Sequence, residues 1–278
     1  MRSGVRPLKR FGQHFLKGRS VAERIVESMD IGEGDCVLEI GPGEGVLTEF
    51  LMDSPAERVI GVEIDRRLAD WLRERFGQNE RFELVEGDFL QLDLSTLVRR
   101  GKKVRVVGNL PYSITTPILF RVLDHRAWIK DLTVTVQKEV GERIASPTGS
   151  KSYGVPSVLF QVFSQVEVLF FIPRKAFYPV PKVDSSVLRF RFFDRPLHEI
   201  EDVTFFRDLV KTVFEQRRKM LRNTLKKIVK DEKILETVSA DLCQRPEELS
   251  VSQFVRLSNE LVQSSDRRTR GRSPASKK

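Results

Sequence analysis

The sequence contains little sulfur and little imidazole. Among its 278 residues there are two Cys, two Trp and three His. Two Cys exclude a framework of several disulfides, and three His widely spaced in sequence do not suggest a metal site. No apolar run reaches the length of a membrane span, and the basic N-terminus lacks the apolar stretch of a signal peptide. We therefore expect a cytoplasmic protein with no metal and no membrane segment.

Acidic residues are the minority among the charges. There are 39 Asp and Glu against 48 Lys and Arg, a net charge of +9. Residues 1–24, 207–230 and 264–278 carry +6, +7 and +5, so the rest of the chain is net negative. Solvated helix faces would explain one such segment better than three. Basic segments of this kind are typical of surfaces that follow a phosphate backbone, so we expect a nucleic-acid partner.

A glycine-rich turn separates a strand-like run, 36–40, from a stretch with helical periodicity, 46–51. Gly41, Gly43 and Gly45 stand at alternate positions, a spacing that differs from the G-x-G-x-x-G of pyrophosphate-binding turns. Strand, glycine turn and helix form the first unit of a nucleotide-binding sheet. A cofactor without phosphates needs only close approach of the backbone, which these glycines permit.

Two acidic residues follow the next two strand-like runs. Glu63 ends the run that begins at Val59, and a carboxylate at this position typically binds ribose hydroxyls. Asp88 follows the run 82–85 and would face the adenine of the same cofactor. Each acid alone could be a helix cap or a solvated loop residue. Together with the glycine turn, they predict a nucleoside site at the carboxyl ends of parallel strands.

The tetrapeptide Asn109-Leu110-Pro111-Tyr112 follows the buried run 104–107. An Asn amide and a backbone carbonyl, for which Leu110 is the expected source, can accept hydrogen bonds from an exocyclic amine. Tyr112 can stack on the ring that carries this amine, and Pro111 stiffens the loop. Taken alone, an Asn-Leu-Pro turn could equally be ordinary loop chemistry.

The ordered set of motifs resembles the class I methyltransferases that use S-adenosylmethionine and act on adenine amines. Four further stretches resemble the KsgA family, the adenine dimethyltransferases of small-subunit ribosomal RNA: Gly12-Gln13-His14-Phe15-Leu16, Gln137-Lys138-Glu139-Val140, the segment 177–185 (Phe-Tyr-Pro-Val-Pro-Lys-Val-Asp-Ser), and Gln216-Arg217-Arg218-Lys219 with Arg222-Asn223. The resemblance extends over positions 8–262.

The resemblance implies a role for each matching residue. Its cofactor-binding residues would be His14, Leu16, Gly41, Glu63, Asp88 and Asn109. Its catalytic residues would be Asn109, Leu110, Tyr112 and Phe177, with the two aromatic rings enclosing a flipped target adenine. Many family members have Asn where this chain has His14. The alternative for Phe177 is a core aromatic, since the chain has 19 Phe.

The expected fold class is α/β. The pattern and the resemblance predict a Rossmann-like, seven-stranded methyltransferase sheet with strands near 35–40, 58–63, 81–86, 104–108, 131–136, 165–172 and 186–193. We expect helices between the first six strands and an antiparallel last strand after a proline-rich loop, 173–185. Residues 1–17 are expected to be a flexible basic arm, and residues 146–153 a mobile loop.

The domain boundary is expected near Arg195-Pro196, where the apolar period becomes helical. The prediction is a methyltransferase domain at 1–195, a small all-helical RNA-binding domain at 196–263, and a disordered basic tail at 264–278. One helix is expected from Val251 to Val262, capped by Ser250. The residues expected to contact RNA are Arg217, Arg218, Lys219 and Arg222.

The resemblance implies transfer of methyl groups from S-adenosylmethionine to two adjacent adenosines near the 3′ end of 16S rRNA. The expected partner is the pre-mature small ribosomal subunit, and the protein is expected to be a monomer. A DNA adenine methyltransferase or a resistance methylase of large-subunit rRNA is the second hypothesis, although DNA enzymes usually have Asn/Asp-Pro-Pro-Tyr. The third is a non-enzymatic relative similar to mitochondrial transcription factors, against which the intact cofactor residues argue.

Overall fold

The computed structural model describes residues 5–8, 12–98, 102–229 and 232–270, with only the backbone for 265–270. These residues fall into two compact units. The sheet unit comprises the described residues up to Glu142 together with Gln165–Asp194. The helical unit comprises Arg143–Ser164 and the described residues from Arg195 onward. The sequence placed 143–164 with the sheet, whereas the fold groups this segment with the helices.

The strands of the described residues are β1 (Phe15–Leu16), β2 (Cys36–Ile40), β3 (Arg58–Glu63), β4 (Phe82–Glu86), β5 (Val104–Asn109), β6 (Ile129–Gln137), β7 (Ser164–Ile172), β8 (Phe177–Tyr178) and β9 (Ser185–Phe192). Seven of them form one sheet in the order β4-β3-β2-β5-β6-β9-β7. Strands β2 to β6 run parallel, and β9 runs antiparallel to β6. The predicted fold class, the seven strands and the antiparallel last strand are confirmed.

The α-helices of the described residues are α1 (Arg19–Glu27), α2 (Val46–Asp53), α3 (Arg66–Phe76), α4 (Thr115–Asp124), α5 (Lys138–Ile144), α6 (Val155–Phe163), α7 (Val203–Glu215), α8 (Leu221–Leu225) and α9 (Val251–Arg270). No described helix combines the length with the apolar composition that crossing a bilayer requires.

The connection between β4 and β5 differs from the prediction of a helix. Within its described part, the regular structure is a single 3₁₀ turn, Leu94–Thr96. Asp88 accepts a hydrogen bond from the backbone N–H of Leu90, and Asp93 accepts one from that of Ser95, each at 2.9 Å. Such local side-chain bonds compete with helical backbone pairing, so this segment forms capped turns instead.

The segment around His14 is held in place rather than free. Strands β1 and β8 form an antiparallel ribbon in which Phe15 pairs with Tyr178 and Leu16 with Phe177. The expectation of a flexible arm is therefore wrong for residues 12–16, while residues 1–4 and 9–11 lie outside the described part. The ribbon brings the N-terminal segment against the proline-rich loop.

Helix α9 begins at Val251 as predicted, and the Ser250 hydroxyl accepts a hydrogen bond from the Gln253 N–H at 3.3 Å. The helix continues to Arg270, so the expectation of disorder is wrong for residues 264–270. A nucleated helix gains one hydrogen bond per added residue, and no Gly or Pro interrupts the sequence before Gly271. Residues 271–278 of the predicted tail lie outside the described part.

The core of the sheet unit lies between the sheet and the helices that cover it. Strands β2 and β3 are buried on both faces, as in parallel sheets covered on each side. Helix α1 buries Ala22, Ile25 and Val26 at the spacing of one helical face, and these side chains join the cluster that includes Leu51 and Val59. The covered sheet leaves the loops at its carboxyl edge as the place for chemistry.

A buried ion cluster lies at the opposite edge, where β5 and β6 begin. One Asp131 oxygen accepts bonds from Arg105 at 2.7 Å and from Arg189 at 3.0 Å, and all three residues are at most 5% exposed. Arg105 also bonds Asp35 at 2.7 Å, and Arg189 bonds Asp30 at 2.9 Å. The cluster joins β5, β6 and β9 to the end of α1.

Replacing Asp131 with Asn should destabilise the protein strongly, because two buried guanidinium groups lose their shared carboxylate. We expect a loss of about 3–5 kcal/mol in the free energy of unfolding, measured by urea denaturation. The matched control is Asp70→Asn, which breaks the exposed Arg73–Asp70 pair and should cost about 0.5 kcal/mol or less. Equal effects of the two substitutions would contradict this account of the cluster.

Candidate active site

A cavity lies at the carboxyl ends of β2, β3 and β5, where the order of the strands reverses. Open α/β sheets bind their ligands at such a switch point. The cavity, called here the switch-point cavity, is lined by Gly12, Gln13, His14, Phe15, Leu16, Glu39, Gly41, Pro42, Gly43, Glu44, Val46, Leu47, Glu63, Ile64, Asn109, Leu110, Pro111 and Tyr112. It therefore unites most of the predicted site residues.

The glycine turn forms the floor of the cavity. Gly41, Gly43 and Gly45 all have positive φ, at 66°, 60° and 79°, which other residues rarely adopt. A Cβ at Gly45 would stand 2.7 Å from the Phe76 ring, so helices α2 and α3 require a glycine there. A Cβ at Gly41 would meet no atom within 4 Å, so this turn leaves open space beside the backbone.

Glu63 is fixed by backbone donors at the end of β3. One carboxylate oxygen accepts the Gly43 N–H at 3.0 Å and the other accepts the Asp65 N–H at 2.9 Å. The residue is 3% exposed, and burial raises the pKa of its carboxyl against the opposing effect of these backbone donors. Both oxygens are thus oriented, and their remaining lone pairs can accept from a pair of hydroxyls.

Glu39 lines the cavity but was absent from the predicted site. It is 1% exposed, and one oxygen of its carboxyl group accepts the Thr48 hydroxyl at 2.6 Å. Burial raises the pKa of this carboxyl to about 8, with Glu63 adding to the rise. A glutamate inside the apolar run 36–40 was the available signal, because a buried acid needs a purpose or a partner.

Asn109 ends β5 with its side chain at the cavity. Its amide nitrogen donates to the backbone oxygen of His14 at 2.8 Å, which fixes the amide and leaves its oxygen as an acceptor. Leu110 is buried, and its N–H donates to the Thr135 oxygen at 3.1 Å. The loop is therefore anchored from both sides, by the N-terminal segment and by β6.

Tyr112 is held at its hydroxyl end and beside its ring. The hydroxyl lies 2.7 Å from that of Ser185, which is fully buried at the start of β9. The His14 ring lies 5.3 Å from the Tyr112 ring, between centroids. His14 Nδ1 lies 2.7 Å from the Pro179 oxygen, so Nδ1 carries the proton and the tautomer is fixed. Ser185 was missed as a site residue because its partner is distant in sequence.

Comparison with known proteins identifies the family of this chain. The family model for "Ribosomal RNA adenine dimethylase" matches residues 6–263. The chain belongs to this family. "Ribosomal RNA small subunit methyltransferase A" of Pseudomonas aeruginosa is 44% identical over 93% of this chain and 96% of that protein.

Two solved structures are similar over most of the chain. The 23S rRNA methyltransferase ErmE has a TM-score of 0.69 and 28% identity, covering 89% of this chain and 99% of its own. A dimethyladenosine transferase from Plasmodium falciparum has a TM-score of 0.80 and covers 91% of this chain and 98% of its own. At 24% identity, the second likeness is one of fold.

S-adenosylmethionine is the methyl donor of this dimethylase, and the switch-point cavity fits it. The oriented Glu63 carboxylate suits ribose hydroxyls, and the open space at Gly41 admits a ligand against the backbone. Ile64, 47% exposed beside Glu63, offers an apolar surface to an adenine. No three His, Cys, Asp or Glu side chains of the described residues converge as metal ligands would.

Asp88 is the predicted cofactor residue that lies outside the cavity lining. Its two carboxylate oxygens accept from the Leu90 N–H at 2.9 Å and the Gln91 amide at 3.2 Å. The neighbouring Gly87 N–H donates to the backbone carbonyl oxygen of Glu63 at 2.9 Å, so Asp88 follows a strand end next to Glu63. Contact between Asp88 and the cofactor adenine stays a prediction.

The structure does not present Phe177 as a stacking surface. Phe177 is 0% exposed and packs in the core with Leu16, whereas its neighbour Tyr178 is 52% exposed. Side chains alternate along a strand, and the pairing of β8 with β1 turns Phe177 inward. The expectation that its ring encloses an adenine needs a correction: in this conformation Phe177 is a core aromatic.

The four predicted RNA-contacting residues lie in the helical unit and differ in their hydrogen bonds and exposure. Arg217 donates to the backbone carbonyl oxygens of Lys151 and Ser150, at 2.5 and 3.1 Å, and so holds the loop 146–153 in place. In the same loop, the Gly149 N–H donates to the backbone carbonyl oxygen of Glu247 at 2.8 Å. These bonds argue against the predicted mobility. Arg218, Lys219 and Arg222 are exposed and offer their charge to solvent.

Replacing Glu39 with Gln should change how stability depends on pH. The folded protein holds the Glu39 proton up to about pH 8, whereas an ordinary Glu releases it near 4.5. Between these values the unfolded chain binds fewer protons, so this group lowers wild-type stability as the pH rises, with no further loss above about pH 8.

Gln has no such proton, so its contribution to stability does not change with pH. The free energy of unfolding of Glu39→Gln minus that of the wild type should therefore increase by up to about 4 kcal/mol as the pH rises from 5 to 8. Urea denaturation across this range measures the difference. Glu23→Gln, on the exposed face of α1, is the control and should show no trend. A pH-independent difference for Glu39→Gln would show that Glu39 is ionised in the fold.

Proposed function

We propose that this dimethylase transfers methyl groups from S-adenosylmethionine to the exocyclic amines of two adjacent adenosines near the 3′ end of small-subunit rRNA. The observation that carries the proposal is the fixed Asn109 amide, whose oxygen is left as an acceptor beside the cofactor site. The near full-length relative of Pseudomonas aeruginosa, named for the small ribosomal subunit, supports the choice of RNA.

Asn109 and the Leu110 carbonyl would orient the target amine. The lone pair of an adenine amine is delocalised into the ring, so the planar amine is a poor nucleophile. Two acceptors for its two N–H groups favour a pyramidal nitrogen with its lone pair toward the methyl donor. The bound cofactor supplies an electrophilic methyl group on a sulfonium.

The loop contributes alignment rather than acid–base chemistry. In-line placement of nucleophile and donor, with dipoles fixed before the reaction, provides most of the rate. The Asn109 amide and the backbone of Leu110 are both held by hydrogen bonds, so they need no reorganisation when charge moves. The proton of the methylated amine can leave to solvent after transfer.

Tyr112 would stack on the flipped adenine. A base must leave its stack before its amine can reach the cavity, and an aromatic contact offsets this cost by roughly 1–3 kcal/mol. The bond between Tyr112 and the buried Ser185 fixes the direction of the long axis of the ring in advance. His14, beside the same ring, would have to adjust as the base arrives.

The partner that we infer is a partly assembled small ribosomal subunit, met in the cytoplasm by a monomer. The net charge of +9 and the exposed Arg218, Lys219 and Arg222 support an extended phosphate contact. Methyl transfer from labelled S-adenosylmethionine to undermethylated small subunits, with nucleosides resolved by mass spectrometry, tests the function. A parallel reaction supplies large subunits, and dimethyladenosine formed there but not in the small subunits would favour an ErmE-like specificity instead.

Asn109→Ala should lower single-turnover methyl transfer by about 100-fold or more, since the amine loses an oriented acceptor. Affinity for the small subunit should stay within about twofold, because phosphate contacts provide most of the binding. The control is Asn79→Ala, an exposed asparagine in the turn that follows α3. Near wild-type turnover by Asn109→Ala would refute the amine-positioning mechanism.

The double substitution of Arg218 and Arg222 by Ala should weaken RNA binding and reduce its salt dependence. Loss of two phosphate contacts lowers the slope of log affinity against log salt by about two. Lys226 and Lys227, which pair with Glu232 and Glu215, provide the matched double-Ala control with a smaller expected change. Unchanged salt slopes for the Arg218 and Arg222 variant would remove these residues from the interface.

A further inference from the structure

A second cavity adjoins the switch-point cavity within the sheet unit. The two share Phe15, Leu16, Glu44 and Val46 as lining residues, so they meet across strand β1. The second cavity, called here the basic cavity, also includes Tyr178 of the β1–β8 ribbon. None of the cofactor-binding or amine-positioning roles assigned above, apart from that of Leu16, uses its residues.

The basic cavity carries an excess of positive charge. Its charged lining consists of four cations and two carboxylates: Arg6, Lys17, Arg19, Arg75, Glu44 and Glu49. Arg19 and Arg75 share the single Glu49 carboxylate, at 2.7 and 2.8 Å, so this carboxylate balances only one of them. The positive charge of the cavity therefore exceeds its negative charge, and this excess favours an anionic ligand.

Tyr178 adds an exposed ring to this positive surface. It is 52% exposed, and the Lys17 ammonium lies 5.3 Å from the centroid of its ring. An aromatic face beside a cation is the combination with which proteins bind a base and its phosphate in single-stranded nucleic acids. The pairing of Tyr178 with Phe15 places this ring directly across the ribbon from the wall of the switch-point cavity.

We propose that the basic cavity is a nucleotide subsite, in which Tyr178 stacks on the base next to the target adenosine and Lys17 binds the phosphate that joins the two nucleotides. The proposal rests on the proposed function, because it requires a single-stranded RNA substrate with a flipped adenosine. A neighbour held across β1 would set which adenosine of an adjacent pair occupies the switch-point cavity.

Tyr178→Ala should raise the KM for the RNA substrate about tenfold, while Tyr178→Phe, which keeps the ring, stays within about twofold of wild type. Lys17→Ala should lower the salt slope of RNA binding by about one. The Kd for S-adenosylmethionine, measured by calorimetry, should be unchanged in all three variants, which also shows that they fold.

The sheet unit contains a matched control pair. Phe171 is also 52% exposed, and the Lys138 ammonium lies 5.1 Å from its ring centroid, but neither residue lines the two cavities. Phe171→Ala and Lys138→Ala should therefore leave the KM for RNA and the salt slope near wild type. A control effect equal to that of Tyr178→Ala would show general surface binding and overturn the subsite.

Two other outcomes would also overturn the proposal. An unchanged KM and salt slope in the Tyr178 and Lys17 variants would exclude the RNA from the basic cavity. A weakened Kd for S-adenosylmethionine would assign the cavity to the cofactor. Absence of methyl transfer by the wild type would instead contradict the proposed function, and fluorescence anisotropy with a single-stranded rRNA fragment would then still compare the variants for the subsite itself.

Discussion

The hydrogen bond from the Asn109 amide to the His14 carbonyl is the constraint on which the active site depends. It joins a residue at the end of β5 to a segment 95 positions earlier in the chain, at 2.8 Å. Because the amide nitrogen is committed to a carbonyl, the oxygen must be the acceptor that remains. The same segment continues into β1, whose pairing with β8 holds the proline-rich loop beside Tyr112. Substrate orientation therefore follows from how the N-terminal segment is anchored.

The rest of the site depends on a rigid backbone turn and on buried acidic residues. Three glycines with positive φ bring the turn after β2 close to β3, where the Gly43 N–H binds Glu63. The Asp131 ion cluster joins β5, β6 and β9 at the opposite edge of the same sheet. The carboxyl-edge loops can thus be specialised for binding, since the sheet that positions them is secured elsewhere.

Local patterns in the sequence were enough to predict the seven strands, the glycine turn, Glu63 and the Asn109 loop, because each depends on neighbours within one strand and turn. The β1–β8 ribbon could not be predicted in this way, since two-residue strands far apart in sequence carry no periodicity. That ribbon decides that Phe177 faces the core and Tyr178 faces solvent. The Tyr112–Ser185 bond joins residues 73 positions apart, so local sequence patterns could not predict it either. Contacts between distant segments, rather than the motifs, determine which side chain of a motif is exposed.

Single-turnover methyl transfer by an Asn109→Asp variant tests whether the anchored Asn109 amide orients the reaction. A carboxylate of the same shape can accept from the target amine but cannot donate to the His14 carbonyl, so it would set two oxygens against each other. We expect that at neutral pH this variant transfers methyl groups no faster than Asn109→Ala, with the wild-type rate at least about 100-fold higher. Transfer by Asn109→Asp at a rate near wild type would contradict the claim that the anchored amide orients the reaction.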